Sequence, residues 1–405
     1  MSRFQQIAIR STFIALICHT FLSCHEMNKT TTNLEITWQR IPTDGLTGNL
    51  QKGVSASYAA ICHDKLLVAG GCNFPNKLGF EGGVKAYYDD IVMMDTTILD
   101  KWTHVGKLPK PAAYGVSIRL SSNETLWIGG NTGNESLKNV YSVSLQRSGE
   151  PKLDSLPFLP ATMDNFAGCA IENSVFVGGG NVNDKPSNDF YSLDIKNDSI
   201  WKKLPPFPGI PRVQPVMAGI KNAERNYVYL LGGFFGGDKF HLPKMAKDVY
   251  RYCVEDSTWE KVGEQIDPDT QKPFSLAGAV AMPLQNRYIL CMGGVNYDIF
   301  LNAITTQYNI NFNRLLTDEE KKQKNNAFSK IYMIQPIAYY KFNPECRIFD
   351  TKTNRWQTID VTQNAARAGA TLVFENDTFY LVQGELKPGV RTPITWKGEI
   401  RLNAN

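Results

Sequence analysis

Short apolar runs closed by paired glycines punctuate the chain. They read Leu67-Val68-Ala69-Gly70-Gly71, Leu126-Trp127-Ile128-Gly129-Gly130, Val175-Phe176-Val177-Gly178-Gly179-Gly180, Tyr229-Leu230-Leu231-Gly232-Gly233 and Leu290-Cys291-Met292-Gly293-Gly294, with a degenerate sixth copy, Tyr380-Leu381-Val382-Gln383-Gly384. Successive second glycines lie 59, 50, 53, 61 and 90 residues apart, the signature of a repeat of about 50 residues with loop insertions. A second strand-like run follows each copy, as in Asp189-Phe190-Tyr191-Ser192-Leu193-Asp194, and then a Trp and often a Leu-Pro. The second copy departs from this: Val140-Tyr141-Ser142-Val143 is followed by Leu156-Pro157 with no Trp between.

Such a unit predicts a four-stranded twisted sheet that must cover both faces, so the units pack side by side around an axis. The pattern is that of Kelch repeats, and the expected fold is all-β: a six-bladed Kelch-type β-propeller over residues 34–402. The sixth copy runs out after three strands, the last near Pro393-Ile394-Thr395-Trp396, and the missing outer strand stands at the other end as Thr37-Trp38-Gln39-Arg40-Ile41-Pro42. Joining the two ends in one blade removes free edge strands. The paired glycines read as packing positions, since none opens a helix as a phosphate-binding loop would. Between Gly294 and Cys346 lies an insertion in the fifth blade, where Thr317-Asp318-Glu319-Glu320-Lys321-Lys322-Gln323-Lys324 predicts a short helix from its cap, early acids and later bases. A lid over a site and a solvated decoration are equally compatible with it.

Composition narrows the functional classes. With 42% hydrophobic and 20% charged residues the chain has material for a sizeable core, and a net charge of +4 without a long Lys/Arg block argues against nucleic acid. Arg3 and Arg10 precede apolar residues 13–18, the layout of a secretory signal over residues 1–24. Phe21-Leu22-Ser23-Cys24 also resembles a bacterial lipobox, with Phe a less usual first residue; cleavage near Ser23 and initiation at Met27 are the alternatives. The expected location is therefore outside the cytoplasm, periplasmic, with the membrane reached only through a lipid on Cys24. Six cysteines remain beyond it, none as C-x-x-C and several within strand-like runs, so no disulfide framework is expected. His63, His104 and His241 form no ligand-like pair, which predicts neither metal nor cofactor, and no Gly-x-Ser-x-Gly elbow is present.

The stretch with candidate chemistry is Gln383-Gly384-Glu385-Leu386-Lys387-Pro388-Gly389-Val390-Arg391-Thr392. It sets a carboxylate, a turn and an arginine at the end of a blade strand, near the propeller axis. A desolvated Glu is a candidate base, and an Arg offers a forked donor for a substrate carboxylate. A surface ion pair beside a turn is the competing reading from the residues alone.

Gly384-Glu385, Lys387-Pro388-Gly389 and Arg391-Thr392 resemble the Gly-Glu-x-Lys-Pro-Gly-x-Arg-Thr signature of the N-acetylneuraminate epimerases, or sialic acid mutarotases, which are six-bladed Kelch propellers. Similarity extends to Gly293-Gly294-Val295-Asn296, Pro211-Arg212-Val213-Gln214, Ala113-Tyr114-Gly115-Val116-Ser117 and Gly70-Gly71 through Phe80 and Tyr87-Tyr88, with the blades circularly permuted relative to better-known members. The resemblance implies interconversion of the α and β anomers of an acidic sugar, N-acetylneuraminate, without a cofactor. Glu385 would take the proton of the anomeric hydroxyl. Arg391, with Arg212 as a second candidate, would hold the carboxylate. Asn73, Asn131 and Asn296, with Asn181, could bind hydroxyl or acetamido groups, although Asn is equally a turn former. Phe234, Phe235 and Tyr297 could pack on the sugar or in the core. A second class of function stays open: a Kelch propeller that only presents loops to a glycan or protein partner. A sialidase is argued against by the missing Ser-x-Asp-x-Gly-x-x-Trp repeat.

Overall fold

A computed structural model describes residues 34–222 and 224–402; the leader-like residues 1–24, with Cys24, lie outside them. The architecture is all-β, with helices concentrated in one insertion. Each glycine-closed run is the second strand of a four-stranded antiparallel sheet. In the first sheet Tyr58–Cys62, Lys65–Ala69, Asp90–Asp95 and Thr103–Lys107 lie side by side in chain order. Four further sheets repeat that order, from Val116–Ser121, Ala167–Ile171, Val216–Lys221 and Ala279–Leu284 outward.

The sixth sheet joins the two ends of the chain. Its order is Thr371–Glu375, Thr378–Val382, Trp396–Leu402 and then Leu34–Arg40. Leu34–Arg40 runs antiparallel to Trp396–Leu402, with Trp38 opposite Gly398. The third strand thus starts at Trp396, later than expected, because Pro393 has no N–H for a ladder.

A circuit of backbone hydrogen bonds links the sheets. One residue with positive φ precedes each first strand: Ala56, Tyr114, Asn165, Gln214, Gly278 and Gly369. The amide of Tyr114 donates to the carbonyl of Ala56 (2.9 Å), Asn165 to Tyr114 (2.8 Å), Gln214 to Asn165 (2.7 Å), Gly278 to Gln214 (3.2 Å), Gly369 to Gly278 (2.8 Å) and Ala56 back to Gly369 (2.7 Å). The first strands touch in the same cyclic order. Side chains seldom adopt this left-handed conformation, yet Ala56, Tyr114, Asn165 and Gln214 do so here. The circuit rims a central cavity of about 170 Å³.

Apolar clusters fill the spaces between neighbouring sheets, as where Leu126 and Val140 of the second meet Val175, Leu193 and Trp201 of the third. Gly70 and Gly293 confirm why the runs end in glycine: a Cβ would stand 2.3 Å from the Ala112 carbonyl and 2.4 Å from that of Arg367. Indoles clamp successive sheets. The N–H groups of Trp102, Trp201, Trp259 and Trp356 donate to the carbonyls of Pro42, Pro157, Pro205 and Glu264, and that of Trp38 to the Asp360 carboxylate. All six cysteines among the described residues are buried free thiols.

The insertion holds α1 (Tyr297–Asn311), α2 (Asp318–Met333) and the single turn α3 (Ile337–Tyr340). The expected helix is α2, started by a Thr317–Glu320 capping box and nine residues longer than Lys324. Helix α1 was not expected. It is capped by Asn296, and Tyr297, Phe300, Leu301 and Ile304 recur at helical spacing on the face that meets the core.

Candidate functional site

Beyond its glycines each chain segment makes a short antiparallel contact with the residue preceding the hydrogen-bonded circuit. The pairs are Ser55–Cys72, Ala113–Asn131, Asp164–Asn181, Val213–Phe234 and Ala368–Glu385, and Val295 donates to the Ala277 carbonyl. Glu385 is therefore the sixth sheet's counterpart of Cys72, Asn131, Asn181, Phe234 and Val295, one step above the rim of the axis.

The signature forms a tight hairpin in which Glu385 pairs with Arg391. Gly389 turns it with φ 86°, and a Cβ there would lie 2.5 Å from Leu78. The Gly389 amide donates to Glu385 Oε1 (2.8 Å), and Arg391 Nη1 lies 3.0 Å from the same oxygen. That contact is an ion pair without hydrogen-bond alignment, so Nη1 remains a buried donor with no satisfied bond. Arg391 Nε donates to Ser55 Oγ (3.1 Å), and the guanidinium lies 5.4 Å from the Phe74 ring. The Arg391 side chain is 3% exposed and that of Glu385 24%. Burial pulls the Arg391 pKa down, but Glu385, Cys72 and Tyr114 outweigh it and hold it above the ordinary arginine value.

Tyr114 forms the adjoining wall. Its hydroxyl accepts from Lys85 Nζ (3.0 Å) and from Cys72 Sγ (3.4 Å), which leaves its own O–H to donate elsewhere. Burial, then Cys72 and Glu385, raise its pKa well above that of an ordinary phenol. The Tyr87 ring stands 6.5 Å from that of Tyr114, with its hydroxyl pushed up to about 12 by burial, Cys72 and Asp164. The helical insertion borders the same hairpin: Lys387 Nζ donates to the Met333 (3.1 Å) and Gln335 (2.6 Å) carbonyls where α2 ends. Burial, Tyr339 and Glu385 push the Tyr340 hydroxyl up to about 12. Removing the tether, as in Lys387→Met, is expected to leave the thermal midpoint of the β-sheets nearly unchanged while protease sites in α2 open, measured by limited proteolysis.

The other residues singled out in the sequence lie elsewhere. Arg212 is fully buried and committed: it binds the Asp248 carboxylate through Nη1 and Nη2, and the Ile210 and Gly232 carbonyls at 3.2 Å. Its place between Phe207 and Tyr250 is in the inter-sheet core, so the expectation of a second substrate-binding arginine is corrected. Asp248→Ala would strand that cation and is expected to cost ~3–5 kcal/mol of stability, read from the denaturant midpoint. Asn73 is also corrected. It is 2% exposed, donates to the Asn49 and Gly53 carbonyls and accepts from Tyr88. Asn296 caps α1 through the Ile299 amide at 3.1 Å. Both stand one residue beyond the Glu385-equivalent position, where the strand's alternation turns side chains away from the neighbours of that position. Asn131 holds the equivalent position itself and accepts from the Gly133 amide (3.2 Å). Phe234 and Tyr297 pack together around α1.

Lys85, Ser55 and Cys72 were not foreseen as site residues. Ser55 and Cys72 could have been found by aligning each blade on its glycines, since Cys72 follows Gly71 as Glu385 follows Gly384. Lys85 sits in a loop that carries no repeat signal.

Comparison with known proteins identifies the family. Residues 21–150 and 156–405 match the family model described as N-acetylneuraminate epimerase. The N-acetylneuraminate epimerase of Salmonella paratyphi B is 31% identical over 261 residues, 63% of this chain and 61% of that protein. That of Haemophilus influenzae (strain 86-028NP) is 31% identical over 244 residues, 60% of this chain and 59% of that protein. The matched region thus spans about three fifths of the length of these curated relatives. A solved structure titled "Structure of YjhT" aligns with a TM-score of 0.49 at 26% identity, over 58% of this chain and 61% of that chain. With its family model matched along nearly the whole length, this chain belongs to the N-acetylneuraminate epimerase family.

Proposed function

We propose that this protein is a sialic acid mutarotase: it interconverts the α and β anomers of N-acetylneuraminate by acid–base ring opening and closure at the Glu385–Arg391 hairpin of a six-bladed Kelch-type propeller. The observation that carries the reading is the pairing of a part-exposed carboxylate with a buried arginine whose Nη1 lacks an aligned acceptor. Such a guanidinium is preorganised for a carboxylate. Lys85, on the Tyr114 hydroxyl, and Arg391, beside Glu385, place two cations at the hairpin, a setting that suits an acidic sugar.

Glu385 takes the proton of the anomeric hydroxyl, through the carboxylate oxygen that the Gly389 amide does not hold. Tyr114 gives its proton to the ring oxygen, so the C2–O bond breaks and the keto form appears. The open chain turns, the liberated hydroxyl attacks the other face of the carbonyl, and the two protons return to Tyr114 and the new anomeric hydroxyl. No electrons change hands and no bond to the protein forms. The permuted order of the blades is no obstacle in this reading, because the backbone circuit returns through Ala56 and Gly369 to its start and a closed ring keeps its site wherever the chain begins.

The same proposal locates the enzyme in the periplasm, where it meets free sialic acid, with Cys24 lipidated; mass spectrometry of the mature N-terminus checks this. The function is tested by one-dimensional proton NMR of a freshly dissolved pure anomer. Faster equilibration with the protein supports the mutarotase, and none with well-folded protein overturns it.

A further inference from the structure

The one irregular glycine run lies at the base of the Glu385–Arg391 hairpin. The residue before the last glycine of each run turns with positive φ: Gly70, Gly129, Gly179, Gly232 and Gly293 at 60–73°, and Gln383 at 48°. Five sheets use the residue that adopts this conformation without steric conflict, and the sixth does not. A side chain persists in such a conformation where its surroundings fix it, and such places cluster at functional sites. Gln383 is 2% exposed.

Its surroundings hold it at both ends. Gln383 Oε1 accepts from the Val54 amide at 2.8 Å. At three other junctions the equivalent amide, of Ala112, Met163 or Arg212, donates instead to a backbone carbonyl of the loop before the third strand, from Tyr88, Leu137 or Ser187. In the sixth sheet that loop is the Glu385–Arg391 hairpin, and the Gln383 side chain takes over as acceptor. The Gln383 carbonyl in turn accepts from Arg367 Nη1 (2.7 Å), which also donates to the Ile394 carbonyl (2.9 Å). One buried nitrogen thus ties together the two residues that flank the hairpin. Arg367 holds the place of Arg212, since the Gly294 and Gly180 amides donate to their carbonyls, but strand register sets Ile394 where Arg212 has Asp248. Its guanidinium serves the hairpin's backbone and not a carboxylate.

Val54 connects this brace to the site. The Gly384 amide donates to the Val54 carbonyl (3.0 Å), so residues 383 and 384 hold both polar backbone groups of Val54. The next residue, Ser55, donates its own proton to the Cys72 carbonyl (3.4 Å) and accepts from Arg391 Nε (3.1 Å). We propose that Gln383 is a positioning residue for Arg391: by holding Val54 it fixes the Ser55 hydroxyl that aims the guanidinium at a substrate carboxylate. The task given to Arg391 rests on the mutarotase reading; the brace does not.

Gln383→Gly restores the residue of the five other runs. Relief of the left-handed strain and loss of a buried hydrogen bond are of similar size and opposite sign, so the thermal midpoint is expected to move by less than ~4 °C. KM for N-acetylneuraminate, from NMR rates of anomer exchange, should rise roughly tenfold while kcat stays within about twofold. The Arg391 Nε–H resonance, assigned by its loss in Arg391→Met, should exchange with water roughly tenfold faster. Gln383→Met keeps the length of the side chain without the amide oxygen and should act alike; it serves if the glycine variant fails to fold. Unchanged Nε–H exchange in a folded variant overturns the proposal, and so does an unchanged KM. Where the wild type itself speeds no anomer exchange, the mutarotase reading falls alone and the Nε–H exchange decides the brace: faster exchange supports it and unchanged exchange overturns it.

Discussion

Glu385→Gln is expected to lower the rate of anomer exchange by roughly 10²–10⁴-fold, the usual worth of a positioned general base. Glutamine keeps the shape of the side chain and can still accept the Gly389 amide, so the hairpin should persist. What it loses is the basic oxygen and the charge facing Arg391. Because the Arg391 side chain is only 3% exposed, its charge is then left with Ser55 as its polar partner, and a lower thermal midpoint should accompany the lost activity. The two effects separate in Arg391→Met, which removes the cation and leaves the base. That variant should raise KM for the sugar acid strongly, with a smaller drop in kcat. Rates by NMR under saturating and sub-saturating sugar distinguish the two, and a fully active Glu385→Gln would remove the base assignment.

Much of this arrangement is legible in the amino-acid sequence. The glycine-closed runs marked second strands, and Thr37-Trp38 announced the strand that joins the ends, because packing and edge closure write themselves as local repeats. The hairpin was legible for the same reason: Gly384, Gly389 and the residues between them are consecutive. Contacts between blades were harder. Arg212 reads as a free guanidinium until Asp248, distant in sequence, is seen to hold it. Asn73 and Asn131 look alike by their distance from the glycines, yet a one-residue offset in register turns one into a buried strut and leaves the other level with Glu385. Helix α1 escaped because its apolar residues mix with Asn and Thr, and its cap, Asn296, was read as a ligand. The backbone circuit had no signal either, since four of its six positions carry side chains in a conformation that ordinarily marks glycine.

Tyr114 follows from that circuit. A non-glycine residue held at φ 64° is strained, and such strain persists where the surroundings fix it; here both backbone neighbours in the ring do so, and the side chain is left facing Lys85, Cys72 and the Glu385 charge. Tyr114→Phe keeps the ring and the packing while deleting the hydroxyl that the proposed mechanism uses as proton donor. A fall in kcat of roughly 10²-fold is expected, with KM little altered because the cations remain. The pH profile carries the sign. Burial, Cys72 and Glu385 favour the neutral phenol, so the folded pKa lies above the unfolded value near 10. The contribution to stability is thus complete below pH ~10 and is lost as pH rises toward the folded value. Tyr87 and Tyr340, pushed up to about 12, act in the same direction. The donor therefore stays protonated throughout the neutral and mildly alkaline range, and activity should show no alkaline limb before the sheets themselves begin to unfold above pH ~10. An alkaline limb near pH 8 in the wild type, unmoved in Tyr114→Phe, would assign the proton to another group.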